Sequence, residues 1–176
     1  TYGNKTIYWL LDENETVRTG QIISYNSNTG KRYGTPQWVH TKLKKEDQEK
    51  CLFGLHLINK NNNTDPIAIV EGQKTACIMS ALSPDRIWLS TSGKGNLKLA
   101  NINALKGRDI TLYPDHDGYD QWKNKAKELG LKYKIAPDCE GWFSEGLIAE
   151  GEDIADYFLK NPKFNFRYDL EWNERN

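Results

Sequence analysis

The chain has few cysteines and no excess of charge of either sign. Its 176 residues include 3 cysteines, at Cys51, Cys77 and Cys139, and none belongs to a Cys-x-x-Cys pair. An odd number of separated cysteines argues against a disulfide framework and a zinc knuckle, so we expect a reducing, cytoplasmic environment. Lys+Arg and Asp+Glu number 24 each, whereas a stand-alone nucleic-acid-binding protein is usually strongly basic.

Long hydrophobic runs are also missing. The mean hydropathy is −0.76, 27% of residues are charged, and no apolar run approaches the ~20 residues of a membrane-spanning helix. A hydrophobic share of 38%, with 6 Trp and 9 Tyr, is enough for a packed core of one medium domain or a domain with a small appendage. Because the first residue is Thr1 rather than Met, we expect the chain to be part of a longer protein.

The residue pattern changes at a polar loop, residues 59–65. Before it, strands 5–11 and 17–25 form a predicted hairpin, a turn follows at 26–30, and a basic stretch at 31–45 leads to a helix-like mixture at 46–57. After it, short strands and helices alternate, which is typical of a parallel α/β sheet. We predict strands at 66–70, 86–89, 109–113 and 131–136, helices at 73–82, 97–105, 119–129 and 152–159, and a loop at 138–150. The predicted units are a β-rich N-terminal subdomain with a connecting helix (1–63), an α/β domain (64–162) and a tail (163–176).

Acidic residues follow two of the predicted strands. Glu71 follows strand 66–70, and Asp115 and Asp117 follow strand 109–113. If these strands are neighbours, all three carboxylates share the edge of the sheet at which α/β proteins bind ligands. Side chains at i and i+2 point the same way in extended backbone, so the aspartates could converge on Mg²⁺, which would neutralise their repulsion. The alternative is a plain turn, because Asp-x-Asp-Gly is also common turn chemistry.

A further acidic group precedes the last predicted helix. Asp153 and Asp156 lie at the start of that helix, where Asp153 is either a helix N-cap or a second metal ligand. The two roles do not exclude each other.

Three segments, in order, resemble the motifs of a known domain: Val70-Glu71-Gly72-Gln73-Lys74-Thr75-Ala76, Tyr113-Pro114-Asp115-His116-Asp117 and Gly151-Glu152-Asp153-Ile154-Ala155-Asp156. This order resembles the Toprim domain shared by DnaG-type primases, topoisomerases and some nucleases. The resemblance is closest to primase-like Toprim proteins of phages, plasmids and conjugative elements and covers about residues 66–160. It implies an α/β fold with a parallel four-stranded sheet flanked by helices, preceded by a small α+β subdomain that contains the hairpin.

The resemblance also implies roles for the acids. Glu71 takes an acid or base role, Asp115 and Asp117 coordinate Mg²⁺ or Mn²⁺, and Asp153 with Asp156 completes the acidic set. The implied reaction is nucleotidyl transfer, in which metal ions orient a triphosphate and stabilise the entering and leaving oxygens. The implied partners are single-stranded DNA, nucleoside triphosphates and a replicative helicase, in the replication or mobilisation of a mobile element.

One position departs from the family pattern. Thr75 stands where cellular primases carry a further acid, and Lys74 before it brings positive charge near the phosphates. Two alternatives to a primase therefore stay open: a non-catalytic Toprim module that binds nucleic acid or a partner protein, and a metal-dependent nuclease.

Basic residues supply candidate contacts to phosphate and nucleic acid. The small-residue loop 92–96 could bring Lys94 to a phosphate, although a plain connector explains the loop equally well. Lys74 is a second candidate for phosphate contact. Basic residues interleaved with aromatics favour single-stranded nucleic acid, with Lys31, Arg32, Trp38 and Lys42 as the candidates. The alternative is a solvated connector with Trp38 packed into the core. By alternation, His116 is predicted to point away from the metal.

Overall fold

A computed structural model describes residues 4–39, 50–60, 64–98 and 102–161. The N-terminal part is an antiparallel sheet in the order β1 (Thr6–Leu11), β2 (Val17–Tyr25) and β3 (Arg32–Trp38). The predicted hairpin β1–β2 is confirmed. The stretch interpreted as a connector contains β3 instead, a largely exposed edge strand that has Gly34 and Pro36 within it. Such residues are rare inside strands, which is why the sequence pattern did not reveal this one.

The second sheet has four parallel strands in the order β5-β4-β6-β7. They are β4 (Ile67–Val70), β5 (Ile87–Ser90), β6 (Ile110–Tyr113) and β7 (Lys134–Ile135). Strands β4 and β5 are buried throughout, as expected for apolar runs in a parallel sheet with both faces covered. The predicted four-stranded parallel sheet is confirmed. Strand β7 is much shorter than the predicted 131–136 because it is an edge strand interrupted by exposed lysines.

Within the described residues, four α-helices flank the parallel sheet: α1 (Gln73–Leu82), α2 (Tyr119–Glu128), α3 (Asp138–Ser144) and α4 (Ile154–Lys160). Helices α1, α2 and α4 were predicted. The predicted loop at 138–150 is wrong in its first half, because residues 138–144 form helix α3. Gly141 in its middle conceals the helical pattern, while Cys139 and Trp142 are buried on its inner side.

One predicted helical stretch differs from the structure, and a second is described only in part. In 97–105, Leu97 is extended, Ile102 is helical and a 3-10 turn follows at Asn103–Leu105, while residues 99–101 lie outside the described residues, so this predicted helix stays a prediction. In 46–57, Phe53 bridges to Ser90 of β5, and a 3-10 helix (Leu55–Asn59) begins after the left-handed Gly54. Residues 46–49, His40, Lys42 and the tail 163–176 lie outside the described residues.

Two clusters of buried side chains form the core. One contains Leu52, Ile69 and Trp122, and Leu10 of β1 joins it, so this cluster connects the two sheets. The other cluster surrounds Trp88 and includes residues from each of the helices α1, α3 and α4. The predicted domain boundary at the loop 59–65 stays a prediction. Across the described ranges, no helix is both long enough and apolar enough to span a membrane.

Candidate functional site

The acidic residues lie at the carboxyl edge of the parallel sheet. Strands β4 and β6 are neighbours, so Glu71 and Asp115 follow adjacent strand ends, with Val70 paired to Tyr113. The backbone N–H of Asp115 donates a hydrogen bond to Oε1 of Glu71 at 3.3 Å. Glu71 is buried, with 8% of its surface exposed. The sheet topology therefore brings together two acids that are 44 residues apart in sequence.

A glycine makes room for the Glu71 carboxylate. The N–H of Gly118 donates to the Asp115 carbonyl at 2.8 Å, which closes a tight turn after β6. A Cβ atom at Gly118 would lie 2.7 Å from Oε1 of Glu71, well inside van der Waals contact. The turn and the acidic site are thus both present in the Asp-x-Asp-Gly segment.

Asp153 approaches from the start of α4. Its Oδ1 accepts the backbone N–H groups of Ala155 and Asp156, and Oδ2 of Asp156 accepts the N–H of Asp153, which is a complete capping box. Oδ2 of Asp153 accepts a hydrogen bond from the Thr75 hydroxyl at 2.5 Å. The N-cap interpretation of Asp153 is confirmed, and Thr75 ties this cap to α1.

Burial and mutual repulsion raise the pKa values of these acids. Burial, followed by the neighbouring carboxylates of Glu71 and Asp153, raises the pKa of Asp115 to about 8. Burial also raises the pKa values of Glu71 and Asp153. With all three acids ionised, the site would hold more negative charge than its surroundings compensate, and pKa values perturbed in this way cluster at functional sites.

Asp117 has a different environment from Asp115. Its side chain is 63% exposed, and its Oδ2 lies 2.7 Å from Nζ of Lys94. The same Nζ donates to the Asp117 carbonyl at 2.6 Å. The hydrogen bond from Lys94 lowers the pKa of Asp117. Between the two aspartates, His116 stacks on Phe143 of α3 with ring centroids 4.0 Å apart.

The loop after β5 is bonded to the strand end that carries Glu71. The Glu71 carbonyl accepts the Ser90 hydroxyl at 2.7 Å and the Gly93 N–H at 3.1 Å. Nε1–H of Trp122 donates to the Lys94 carbonyl at 3.1 Å, which anchors the far end of the loop to α2. Lys94 is therefore held beside the acids by both neighbouring strands and by a helix.

A cleft of about 540 Å³ opens over this edge, between the parallel sheet and β2. Its lining includes acids, basic residues and polar residues of β2 and α1: Gln21, Tyr25, Lys31, Arg32, Glu71, Gln73, Lys74, Thr75, Ser92, Lys94, Asp115, Asp153 and Asp156. Four of the predicted phosphate and nucleic-acid residues, Lys31, Arg32, Lys74 and Lys94, are thus in the cleft. Trp38 instead packs against the core with Nζ of Lys50 3.9 Å from its ring centroid. Lys42 lies outside the described residues.

Sequence reasoning missed a buried amide pair in the cleft. Nε2 of Gln73, the first residue of α1, donates to Oε1 of Gln21 on β2 at 2.5 Å. Both side chains are buried, with 3% and 6% of their surfaces exposed. The available signal was the alternation of β2, which places Gln21, Ile23 and Tyr25 on one face of the strand.

The acids suit a hard divalent cation. Within the ranges that the structure describes, no three His, Cys, Asp or Glu side chains are arranged as a ready-made set of metal ligands. The buried carboxyl groups of Asp115 and Asp153 nevertheless provide oxygen donors, and a bound cation would favour their ionised forms. Mg²⁺ is usually bound by one or two carboxylates together with water and substrate phosphates, so these residues fit the ion.

The sequence of residues 1–116 matches the family described as a domain of unknown function, DUF6371. The chain belongs to this family. No curated protein matches the DUF6371 chain.

Solved structures similar to this DUF6371 protein are catalytic cores of primases. The DnaG primase catalytic domain bound to ssDNA has a TM-score of 0.61 at 15% identity over 96% of this chain and 51% of that chain. The E. coli primase catalytic core has a TM-score of 0.57 at 15% identity, over 96% of this chain and 52% of that one. Primase domains of bacteriophage T7 gp4, in a complex with the lagging-strand DNA polymerase, an RNA/DNA hybrid and dTTP, have a TM-score of 0.55 at 16% identity, over 93% of this chain and 75% of that one. The DUF6371 chain has the Toprim fold of these primase cores and spans about half the length of the two catalytic-core chains.

Proposed function

We propose that this protein catalyses metal-dependent nucleotidyl transfer of the primase type, joining ribonucleotides on a single-stranded DNA template. The observation that carries the proposal is the buried convergence of Glu71, Asp115 and Asp153 at one sheet edge, with the pKa of Asp115 raised to about 8. A cluster of this kind is costly unless a cation and a phosphate ligand use it. Its position over a cleft with four basic residues supports phosphate chemistry.

Each residue of the site has a proposed part. Asp115 and Asp153, with Asp117 and Asp156 nearby, would hold Mg²⁺ or Mn²⁺, which would neutralise charge on the transferring phosphate. Oε1 of Glu71 already accepts the Asp115 N–H, which leaves its other oxygen to take or give a proton. Burial raises the pKa of Glu71, which favours a proton-transfer role for this carboxyl.

Basic side chains of the cleft would orient the nucleotide and the template. Lys74 and Lys94 lie beside the acids and would contact the triphosphate, whereas Lys31 and Arg32 belong to the β2–β3 side and would contact template phosphates. Lys42 stays a predicted template contact. A replicative helicase as a partner, and a role in replicating or mobilising a mobile element, are parts of the same proposal.

Primer synthesis tests the proposal. The protein is incubated with labelled ribonucleotides, single-stranded DNA and Mg²⁺ or Mn²⁺. We expect the double variant Asp115→Asn, Asp117→Asn to lose at least about 100-fold of the rate, because it loses oxygens that bind the ion. Asp109→Asn, an exposed acid at the start of the same strand segment, serves as the matched control and should keep the wild-type rate. Primers made at an undiminished rate by the double variant would refute the proposal, and cleavage of the DNA without synthesis would favour a nuclease.

A non-catalytic nucleic-acid-binding module is the second candidate. It is favoured by two contacts that occupy the acids internally: Thr75 donates to Asp153, and Lys94 neutralises Asp117. Titration calorimetry separates the two functions. A protein that binds single-stranded DNA but takes up neither Mg²⁺ nor Mn²⁺ would favour the second.

A further inference from the structure

Ser92 lines the cleft and has a buried hydroxyl without a hydrogen-bond partner in the described part of the chain. It lies two residues after β5, lines the cleft beside Glu71, and has only 9% of its surface exposed. Its Oγ is enclosed and, among the residues that the structure describes, has no hydrogen-bond partner. Its backbone also adopts φ +61°, a left-handed conformation that residues other than glycine rarely take.

Several neighbouring polar groups of the loop have hydrogen-bond partners. The Ser92 N–H donates to the Ser90 hydroxyl at 2.9 Å, and the Ser92 carbonyl accepts Nδ2–H of Asn96 at 3.3 Å. The hydroxyl of Thr91 donates to the Gly93 carbonyl at 2.9 Å. Of the three consecutive hydroxyl residues 90–92, only Ser92 therefore has an unsatisfied side chain in the described structure.

Two unfavourable features coincide at this one residue. A buried hydroxyl without a partner and a left-handed non-glycine backbone each destabilise a folded protein. Glycine at position 92 would remove the hydroxyl and would adopt a positive φ without strain. The neighbouring Gly93 already has a φ of +135°. Strained and unsatisfied groups that persist beside a cluster of buried acids point to a ligand that uses them.

The surroundings indicate what the ligand is. Lys94 follows in the same loop, and Lys74 and Arg32 line the same cleft, so basic side chains that can pair with an anion lie near this wall alongside the acids. A hydroxyl donates a hydrogen bond to a phosphate oxygen without adding charge, and a rotation about χ1 would bring the enclosed Ser92 hydroxyl to the cleft when a ligand binds.

We propose that Ser92 and Lys94 form a subsite for a phosphoryl group, in which the Ser92 hydroxyl donates a hydrogen bond to a phosphate oxygen. The inference rests on the proposed function and adds to it a contact residue outside the acidic motifs. The phosphoryl group belongs either to a nucleoside triphosphate or to the backbone of a nucleic acid.

Binding measurements on the full chain with Ser92→Ala and Ser92→Gly test the subsite. Dissociation constants are measured in Mg²⁺ for ATP, inorganic tripolyphosphate and a single-stranded oligonucleotide, and thermal melting is recorded without ligand. We expect both variants to bind the phosphate ligand about tenfold more weakly, because a hydrogen bond to a charged group is lost. Ser92→Gly should melt at or above the wild-type temperature. Ser144→Ala, an exposed serine of α3 whose hydroxyl donates within its own helix, is the control and should match the wild type in both measurements.

The ligands separate the two phosphate sources. Weaker binding of ATP and tripolyphosphate supports a triphosphate site, and weaker binding of the oligonucleotide alone supports a backbone phosphate. Unchanged affinities in both variants would overturn the subsite while leaving primer synthesis unaffected. A Ser92→Gly protein that melts well below the wild type would also overturn it, because the side chain would then be structural. A wild type that binds none of the three ligands would overturn the subsite and the proposed function together.

Discussion

At the scale of single residues, Gly118 controls the position of the Glu71 carboxylate. Its Cβ in a Gly118→Ala variant would lie 2.7 Å from Oε1, so the carboxylate must move away from the Asp115 N–H. Because Oε1 is the end of a flexible side chain, we expect a loss of only about 0.5–1.5 kcal/mol in the free energy of unfolding, from the weakened hydrogen bond, and nucleotidyl transfer at least tenfold slower. Gly141→Ala is the control, because a Cβ there meets nothing within 4 Å and should stabilise α3 by about 0.5–1 kcal/mol. Wild-type kinetics in Gly118→Ala would show that Glu71 does not need this position.

Thr75 connects helix α1 to the acidic cluster through its hydrogen bond to Asp153. In a Thr75→Asp variant a second carboxylate would face Oδ2 of Asp153, where the hydroxyl now donates a hydrogen bond. We expect the metal-free variant to be destabilised by about 3–5 kcal/mol, because a buried charge is left uncompensated, and Mn²⁺ to restore much of this loss. Thr75→Ser keeps the donor and should resemble the wild type in chemical denaturation. Equal instability of Thr75→Asp with and without Mn²⁺ would mean that no cation reaches Asp153.

The sequence placed the acids correctly along the chain but could not assign their environments. Asp115 and Asp117 are two residues apart, yet burial raises the pKa of the first and Lys94 lowers the pKa of the second. Burial and the approach of Lys94 depend on the loop after β5, which sequence periodicity does not describe. The Ser92 hydroxyl was hidden for the same reason.

At the scale of elements, the Gln21–Gln73 pair connects β2 to the first turn of α1. Because Gln73 follows Glu71 by two residues, this bond fixes the N-terminal sheet against the acidic edge. We expect Gln21→Ala and Gln73→Ala each to lower the unfolding free energy by about 1–3 kcal/mol, since each leaves a buried amide unpaired. The double variant should lose less than the sum, with a coupling of at least about 0.5 kcal/mol in a double-mutant cycle. Strictly additive losses would show that the two amides do not act together.

Elements were predictable where one simple pattern dominated. Strands β4 and β6 were predicted because both are short apolar runs, as expected for buried strands. Helix α1 was predicted because it begins soon after β4 and directly after Gly72. Strand β3 and helix α3 were missed because each contains glycine, and β3 also contains proline. Their formation depends on pairing with β2 and on the burial of Trp142, which are tertiary effects.

At the scale of the whole molecule, the acidic cluster makes stability depend on pH. The pKa of Asp115 is about 8 in the folded protein against about 4 in an unfolded chain, so the folded state binds the extra proton between these values. The free energy of unfolding of the metal-free protein should therefore fall as pH rises from about 4 to about 8, by at most about 1.4 kcal/mol per pH unit for this one group. The pKa values of Asp12, Asp117 and Glu152 are lowered in the folded protein, so these groups stabilise it above their unfolded pKa values and lose that contribution as the pH falls into the acid range.

A matched variant isolates the contribution of Asp115. His56, whose pKa is lowered by burial, gives an opposite slope below pH 6.5, so the wild type is compared with Asp115→Asn in EDTA. We expect Asp115→Asn to be the more stable protein at pH 8 and its advantage to vanish toward pH 4. Parallel pH profiles of the two proteins in urea denaturation would contradict the raised pKa.

The metal at this edge is tested most directly by Mn²⁺ binding, measured by titration calorimetry with the wild type, Asp115→Asn and Asp109→Asn. We predict saturable binding to the wild type and to Asp109→Asn, and an affinity at least about 100-fold lower in Asp115→Asn, because it loses a buried oxygen ligand. The same affinity in the wild type and Asp115→Asn, or no binding to the wild type, would contradict a divalent-cation site at the carboxyl edge of the parallel sheet.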